Sequence, residues 1–111
     1  MERHIKWVSA ARKDFLKFPA AVREQADTAL GLAALGTMAR IVKPMKGLGS
    51  GVLEIRVPYR SDAYRVVYAV SIGRELWVVH AFQKKATQGI KTPKHEIDLI
   101  KSRLKKIKEQ L

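Results

Sequence analysis

The sequence predicts an α+β fold, a small antiparallel sheet packed by two N-terminal helices and a C-terminal helix, and three observations carry that prediction. Residues 53–57 alternate apolar and charged side chains, and residues 64–68 set Tyr64, Val66 and Tyr68 against Arg65 and Val67, on either side of the turn-like "YRSD", the period of two that marks half-buried strands. Val22, Ala26, Ala29, Leu30 and Ala33 recur at helical spacing, as do Ile97, Ile100, Leu104, Ile107 and Leu111, each set drawing one apolar stripe along a helix. A length of 111 residues suits one compact domain over residues 1–111, able to bury roughly two-thirds of the surface its unfolded chain exposes.

In chain order, "RHIKWV" alternates Arg3, Ile5 and Trp7 with His4 and Lys6, a short strand. Ser9 is placed to cap a helix over "AARKDFLKF", which Pro19 interrupts because proline fits a helix's first turn and not its interior. A second helix follows, with Arg23, Glu24 and Asp27 facing outward and Gly36 as its stop. "KPMKGLGSG" is a turn-rich connector. "VLEIRVPYRSDAYRVVYAV" is a hairpin, and Pro58 is tolerable where pairing ends. "ELWVVHAF" forms the next strand after a tight turn with Gly73 at its first central position. A Thr-Pro step then opens the last helix, so the predicted order is β-α-α-β-β-β-α.

Charge is the strongest global feature: 22 Lys and Arg against 10 Asp and Glu give a net +12. The excess is lopsided, since residues 1–39 carry six basic and four acidic side chains whereas residues 40–111 carry sixteen and six. Such an imbalance suits a polyanion, nucleic acid above all. No apolar run approaches the ~20 residues that span a bilayer, and the N-terminus lacks the apolar core of a secretory signal. Cytoplasm is therefore the expected compartment, with no membrane partner. The chain has no cysteine, which removes a disulfide framework and any thiolate metal site. Its three histidines are scattered, so neither a metal nor another cofactor is expected. "GLGSG" lacks the Lys-Ser/Thr of a phosphate loop and leads into a strand.

Hairpin geometry gathers the charge. With "YRSD" as a four-residue loop, Val57 pairs with Tyr64, Ile55 with Val66 and Leu53 with Tyr68 on one apolar face, which the helices cover. Arg56 then lies opposite Arg65 on the other face, beside Glu54 and Val67. Two opposed cations are unfavourable unless an anion spans them or Glu54 neutralises them. Extending the register past Gly73 puts Trp77, Val79 and Ala81 on the helix-covered face, while His80, Phe82 and Lys84 join the arginines and Lys85 lies just beyond. The result is a solvent-facing basic concavity with an aromatic floor, fit for a phosphodiester and an adjacent unstacked base. Each member also has a plainer reading: solvated strand cations, a hydrogen-bonded sheet histidine, a packed phenylalanine. Lys91 and Lys94, around the Thr-Pro step, add charge for RNA.

"LEIRV", "YRVVYAV", "HAFQKK" and "TPKHEIDLIKSRL", in this order and after a strand and two helices, resemble the HigB-like branch of the RelE/ParE toxin superfamily. The likeness runs from about residue 3 to residue 108, and its second half is the specific part. It implies the small helix-packed sheet of that family and a type II toxin that cuts mRNA on the translating ribosome, without a metal. It also implies a cognate HigA-like helix-turn-helix antitoxin. By motif position, Arg65 is similar to the family's phosphate-binding arginine, Arg56 to its neighbour, and Lys84 and Lys85 to the cationic pair of F-x-K-K. The His-Asp-Tyr-His set of some HigB toxins is missing here, which leaves the proton donor open. The implied reaction is attack of a ribose 2′-oxygen on the adjacent phosphorus, yielding a 2′,3′-cyclic phosphate and a free 5′-hydroxyl, with Lys84 or Lys85 assisting that oxygen; His80, by its place on the sheet and not by the resemblance, is a further candidate for proton transfer. Two alternatives stay open: a ParE-like DNA gyrase inhibitor and a nonenzymatic RNA-binding module.

Overall fold

The computed structural model describes residues 2–85 and 91–111; residues 86–90, between F-x-K-K and the Thr-Pro step, lie outside the described residues. The elements are β1 (Ile5–Trp7), α1 (Ser9–Phe15), α2 (Ala20–Ala34), β2 (Val42–Pro44), β3 (Val52–Tyr59), β4 (Asp62–Ala69), β5 (Leu76–Lys84) and α3 (Lys94–Glu109). The strands form one sheet in the order β1-β5-β4-β3-β2. The α+β class and three helices are as predicted, with two changes in the sheet. β1 runs parallel to β5, pairing Ile5 with Leu76 and Trp7 with Val78, so the sheet is mixed. A short strand, β2, also emerges from the expected connector and pairs antiparallel with β3, Val42 against Ile55 and Lys43 against Glu54. Pro44 at its end blunts the outer edge, where a missing N–H costs no ladder bond.

Local signals set most boundaries. Gly36, at φ 88°, ends α2: its N–H bonds Ala33 O at 3.0 Å and the Thr37 N–H reaches back to Leu32 O at 3.0 Å, a Schellman stop. Pro19 precedes α2 with extended geometry, as Pro93 precedes α3. Ser9 does not cap α1. The extended Val8 holds the cap position, with no side-chain bond there, because its N–H is already tied to Val78 O of β5 at 2.9 Å and the chain turns into the helix directly from that strand contact.

The hairpin register is the predicted one, with Val57 on Tyr64, Ile55 on Val66, Leu53 on Tyr68 and Arg56 on Arg65. The loop is tighter than four residues, since Tyr59 pairs with Asp62 and Arg60 takes a positive φ of 58°. Between β4 and β5 the connection is longer than a tight turn: Gly73 does have a positive φ of 65°, but strand pairing stops at Ala69 and resumes at Trp77. Arg65 faces Phe82 and Val67 faces His80 as expected, and then the ladder shifts, Tyr68 meeting Val78. Val79 is the extra residue of a β-bulge, and one extra residue reverses the faces of everything before it.

That bulge corrects a sequence expectation. Ala81 lies on the α1/α2 side with Ile55, Val57, Val66 and Val78, whereas Trp77 and Val79 pack on the opposite side with Val67, Phe82, Ile100, Leu104 and Ile107. The sheet thus has two apolar faces, one under α1 and α2 and one under α3. Phe15, Phe18, Val22 and Leu30 fill the first, with Trp7 and Phe15 rings 5.0 Å apart. Among the described residues no helix is long and apolar enough to cross a membrane.

Two glycines separate backbone strain from crowding. A Cβ on Gly36 meets nothing within 4 Å, whereas one on Gly51, at φ 76°, falls 2.7 Å from the Ser71 Cβ. Gly36→Ala is expected to cost about 1–2 kcal/mol for the left-handed backbone alone. Gly51→Ala should cost more, read as a larger drop in urea midpoint at constant m-value.

Candidate nucleic-acid interface

Strand alternation sends Ile55 and Val57 into the first core and Glu54 and Arg56 to the other face, where β4 contributes Arg65 and β5 contributes His80, Phe82 and Lys84. Arg56 and Arg65 are direct cross-strand partners. The repulsion this implies is resolved by Glu54, whose side chain is almost wholly buried. Arg56 Nε donates to Glu54 Oε1 at 2.8 Å and Arg65 Nη1 donates to the same oxygen at 3.4 Å. Arg65 Nη1 also donates to Thr92 Oγ1 at 3.1 Å, and that hydroxyl donates to Glu54 Oε2 at 3.4 Å. Thr92 comes just before Pro93, the residue preceding α3, so the start of that helix is tied to the arginine pair.

Burial and like charge shape the cations. Arg65 is held below its ordinary value first by burial and also by Arg56, with Glu54 opposing both. The Lys84 amine is lowered from its usual range by burial first, then by Arg65 and Arg56, because each disfavours the protonated form. The two arginines therefore share one carboxylate, and the charge of that carboxylate partly offsets the lowering of Lys84. Removing Glu54 would leave buried like charges uncompensated, a change that costs about 3–5 kcal/mol at comparable sites.

The predicted face is not the open surface that was expected. Arg65, His80, Phe82 and Lys84 are 5%, 3%, 7% and 4% exposed, because α3 packs on this side of the sheet; only Arg56 keeps much of its side chain in solvent, 42%. Lys85, one residue past β5, is exposed, as are Lys91 and Lys94, which flank Thr92 and Pro93 in sequence. The aromatic floor is also altered. His80 and Phe82 stack with centroids 5.1 Å apart, and a cleft of about 400 Å³ beside them is lined by Asp14, Phe18, Tyr64 and Glu96. Arg56, Arg65 and Lys84 are not among its lining residues.

His80 is itself a clamp on α3. Arg103 Nη1 lies 2.9 Å from His80 Nδ1 and donates to Val79 O at 3.0 Å, while His80 Nε2 lies 3.0 Å from Glu96 Oε1. A guanidinium can only donate, so Nδ1 accepts and the proton of a neutral ring sits on Nε2, donating to Glu96. Burial lowers the His80 pKa, Arg103 adds to that, and Glu96 and Asp14 oppose it. Sequence reading missed Thr92, Glu96 and Arg103. The spacing of the last two, two helical turns apart, was the available signal that one face of α3 carries both.

Because the folded-state pKa of His80 lies below the ordinary imidazole value of 6.5, the unfolded chain binds more protons between the two values, and stability falls as pH drops below 6.5. His80→Gln, which keeps a donor and an acceptor without titrating, should flatten that slope. Thermal midpoints of both proteins across pH 7 to 5 test it.

The family model described as "Phage derived protein Gp49-like (DUF891)" matches residues 13–105. An E. coli toxin RelE, in a doubly substituted form solved in the free state, has a similar fold at TM-score 0.61, 20% identity, and 96% and 99% coverage of this chain and that one. The toxin–antitoxin complex RelBE2 from Mycobacterium tuberculosis is matched at TM-score 0.47 and 19% identity, covering 78% of this chain and 94% of that one. No curated protein matches. The matched residues run from α1 nearly to the end of α3 and take in the whole arginine-bearing hairpin, and the chain belongs to the Gp49-like family of phage-derived proteins.

Proposed function

We propose that this protein is the toxin of a toxin–antitoxin system and acts as a metal-independent endoribonuclease on ribosome-bound mRNA in the cytoplasm. The observation that carries the reading is the pair Arg56 and Arg65 bridged by the single carboxylate of Glu54, with Lys84 on the same face and within reach of their charges. Glu54 engages Arg56 through Nε, which leaves the terminal amino groups of that guanidinium for two oxygens of one phosphate. Arg65, fixed by Glu54 and Thr92, is preorganised, so its charge reaches the phosphoryl oxygens without reordering. Attack by the ribose 2′-oxygen forms a new bond to phosphorus as the bond to the 5′-oxygen breaks, leaving a 2′,3′-cyclic phosphate and a 5′-hydroxyl that takes its proton from water; the phosphoryl oxygens gain negative charge on the way, and both arginines bind that charge better than the ground state. Lys84, with its protonated form disfavoured, is the group best suited to take the 2′-hydroxyl proton. Lys85, Lys91 and Lys94 add attraction along the RNA backbone. His80 and Phe82 support the site from beneath, the histidine by holding α3.

Dependence on the ribosome fits this equipment. The protein supplies phosphate binding and one modest base, and the ribosome would supply the bent mRNA geometry, a positioning effect. A net charge of +12 suits an acidic antitoxin, for which a HigA-like helix-turn-helix protein is the expected class. A nonenzymatic RNA-binding module is the second reading, favoured by the fact that Glu54 already occupies both arginines.

Mapping mRNA 5′ ends in a translation extract separates the two. New ends that need ribosomes support cleavage, and retention of intact RNA supports the module. Arg65→Gln and Lys84→Gln should each lower cleavage by on the order of 10²–10³ with circular dichroism unchanged; normal cutting by both variants would displace the site.

The pH profile gives an independent check. If Lys84 is the base, the rate rises with pH through its lowered pKa. Arg56→Gln removes a cation that lowers that value and frees Glu54 to raise it, so the rising limb should move to higher pH.

A further inference from the structure

We infer that Lys43, on the strand absent from the sequence prediction, is an RNA phosphate contact that extends the site across the sheet. This rests on the proposed function and deepens it. Lys43 is the cross-strand partner of Glu54, which puts it on the face of Arg56, Arg65 and Lys84. It is exposed. Its partner's carboxylate is already committed: Oε1 takes both arginines and Oε2 takes Thr92. Among the described residues Lys43 has no ion pair, and β2 brings no acid of its own. The ammonium is thus a surplus cation on a face that already has more cations than acids.

Position decides what it meets. Strands lie ~4.8 Å apart and rise ~3.4 Å per residue, and Lys43 stands opposite Glu54, two residues along from the Arg56–Arg65 pair, so its backbone is roughly 12 Å from that of Arg65, too far to share a phosphate held by that arginine and near enough to hold another on the same strand. Arg56 lies between the two, on β3. The cations therefore run across the strands from β5 to β2, with Lys84 and Arg65 buried at one end and Arg56 and Lys43 open to solvent at the other. Exposed ends of such a row bind passing backbone, while its buried end holds the reacting phosphate. A lysine on an edge strand also discourages edge-to-edge pairing, and the test has to separate that role from RNA contact.

The probe is a fluorescent single-stranded oligoribonucleotide with 2′-O-methyl groups, which cannot be cleaved, titrated between about 50 and 200 mM salt. Lys43→Ala should weaken binding several-fold and lower the salt slope by about 0.7, the share of one phosphate on a single strand. Lys43→Arg should restore both, and in cleavage assays the loss should fall on KM more than on kcat. Lys13→Ala, which removes the same net charge from α1, is the control and should bind as wild type. Equal affinity and slope for the Lys43→Ala and Lys13→Ala proteins, with binding lost in Arg65→Gln, overturn the Lys43 contact and leave the proposed site standing. A Lys43→Ala protein that binds normally but aggregates also overturns it in favour of edge protection. Wild type and Arg65→Gln binding alike would take down the proposed site together with this extension.

Discussion

The buried carboxylate of Glu54 is the interaction on which the rest of the site depends. Pairing β3 with β4 in the register demanded by the apolar face leaves Arg56 and Arg65 opposed, and neither side chain can leave without unregistering the hairpin. A single oxygen of Glu54 accepts from both, converting a repulsive pair into a bridged one. Thr92 joins the same carboxylate, so the network that solves the charge problem also fastens the start of α3 to the sheet. Local electrostatics and tertiary packing are here one constraint.

The second constraint is the bulge at Val79. Without it β5 would carry one uninterrupted alternation, and Trp77 and Val79 would take the place of Leu76 and Val78 on the face under α1 and α2. The extra residue keeps Leu76 and Val78 on that side and places Trp77 and Val79 under α3. Beyond the bulge the register is unshifted, so Phe82 still meets Arg65. One strand thereby serves two cores at one end and the cation cluster at the other. The cluster sits at the end where the apolar contacts of α3 give way to polar ones, through Glu96 and, just before the helix, Thr92.

Legibility differed between elements for physical reasons. The β3–β4 register could be read because apolar pairs on one face leave only one alignment that buries them all, and the opposition of Arg56 and Arg65 followed from it. Gly36 could be read because a left-handed stop has few alternatives. β2 could not, since three residues ending in proline carry no period of their own and are a strand only because β3 offers them a partner. Ser9 failed as a cap because a backbone bond from Val8 to β5 took precedence over a local side-chain bond.

For the candidate site, the shared face was written in the sequence: Arg56, Arg65, His80, Phe82 and Lys84 lie on one side by alternation. Their burial was not, because it depends on where α3 returns, and that helix's apolar stripe is compatible with either face of the sheet. The partners that hold the cluster, Thr92 on Arg65 and Arg103 and Glu96 on His80, lie 27, 23 and 16 residues away from the groups they bind. Sequence alone determined the alternation, the helical stripes and the charge excess, which are properties of neighbours along the chain. Only the tertiary structure decided which cations are buried, that Thr92 joins the acid they share, and which tautomer His80 adopts, because those depend on groups brought together by the packing of α3.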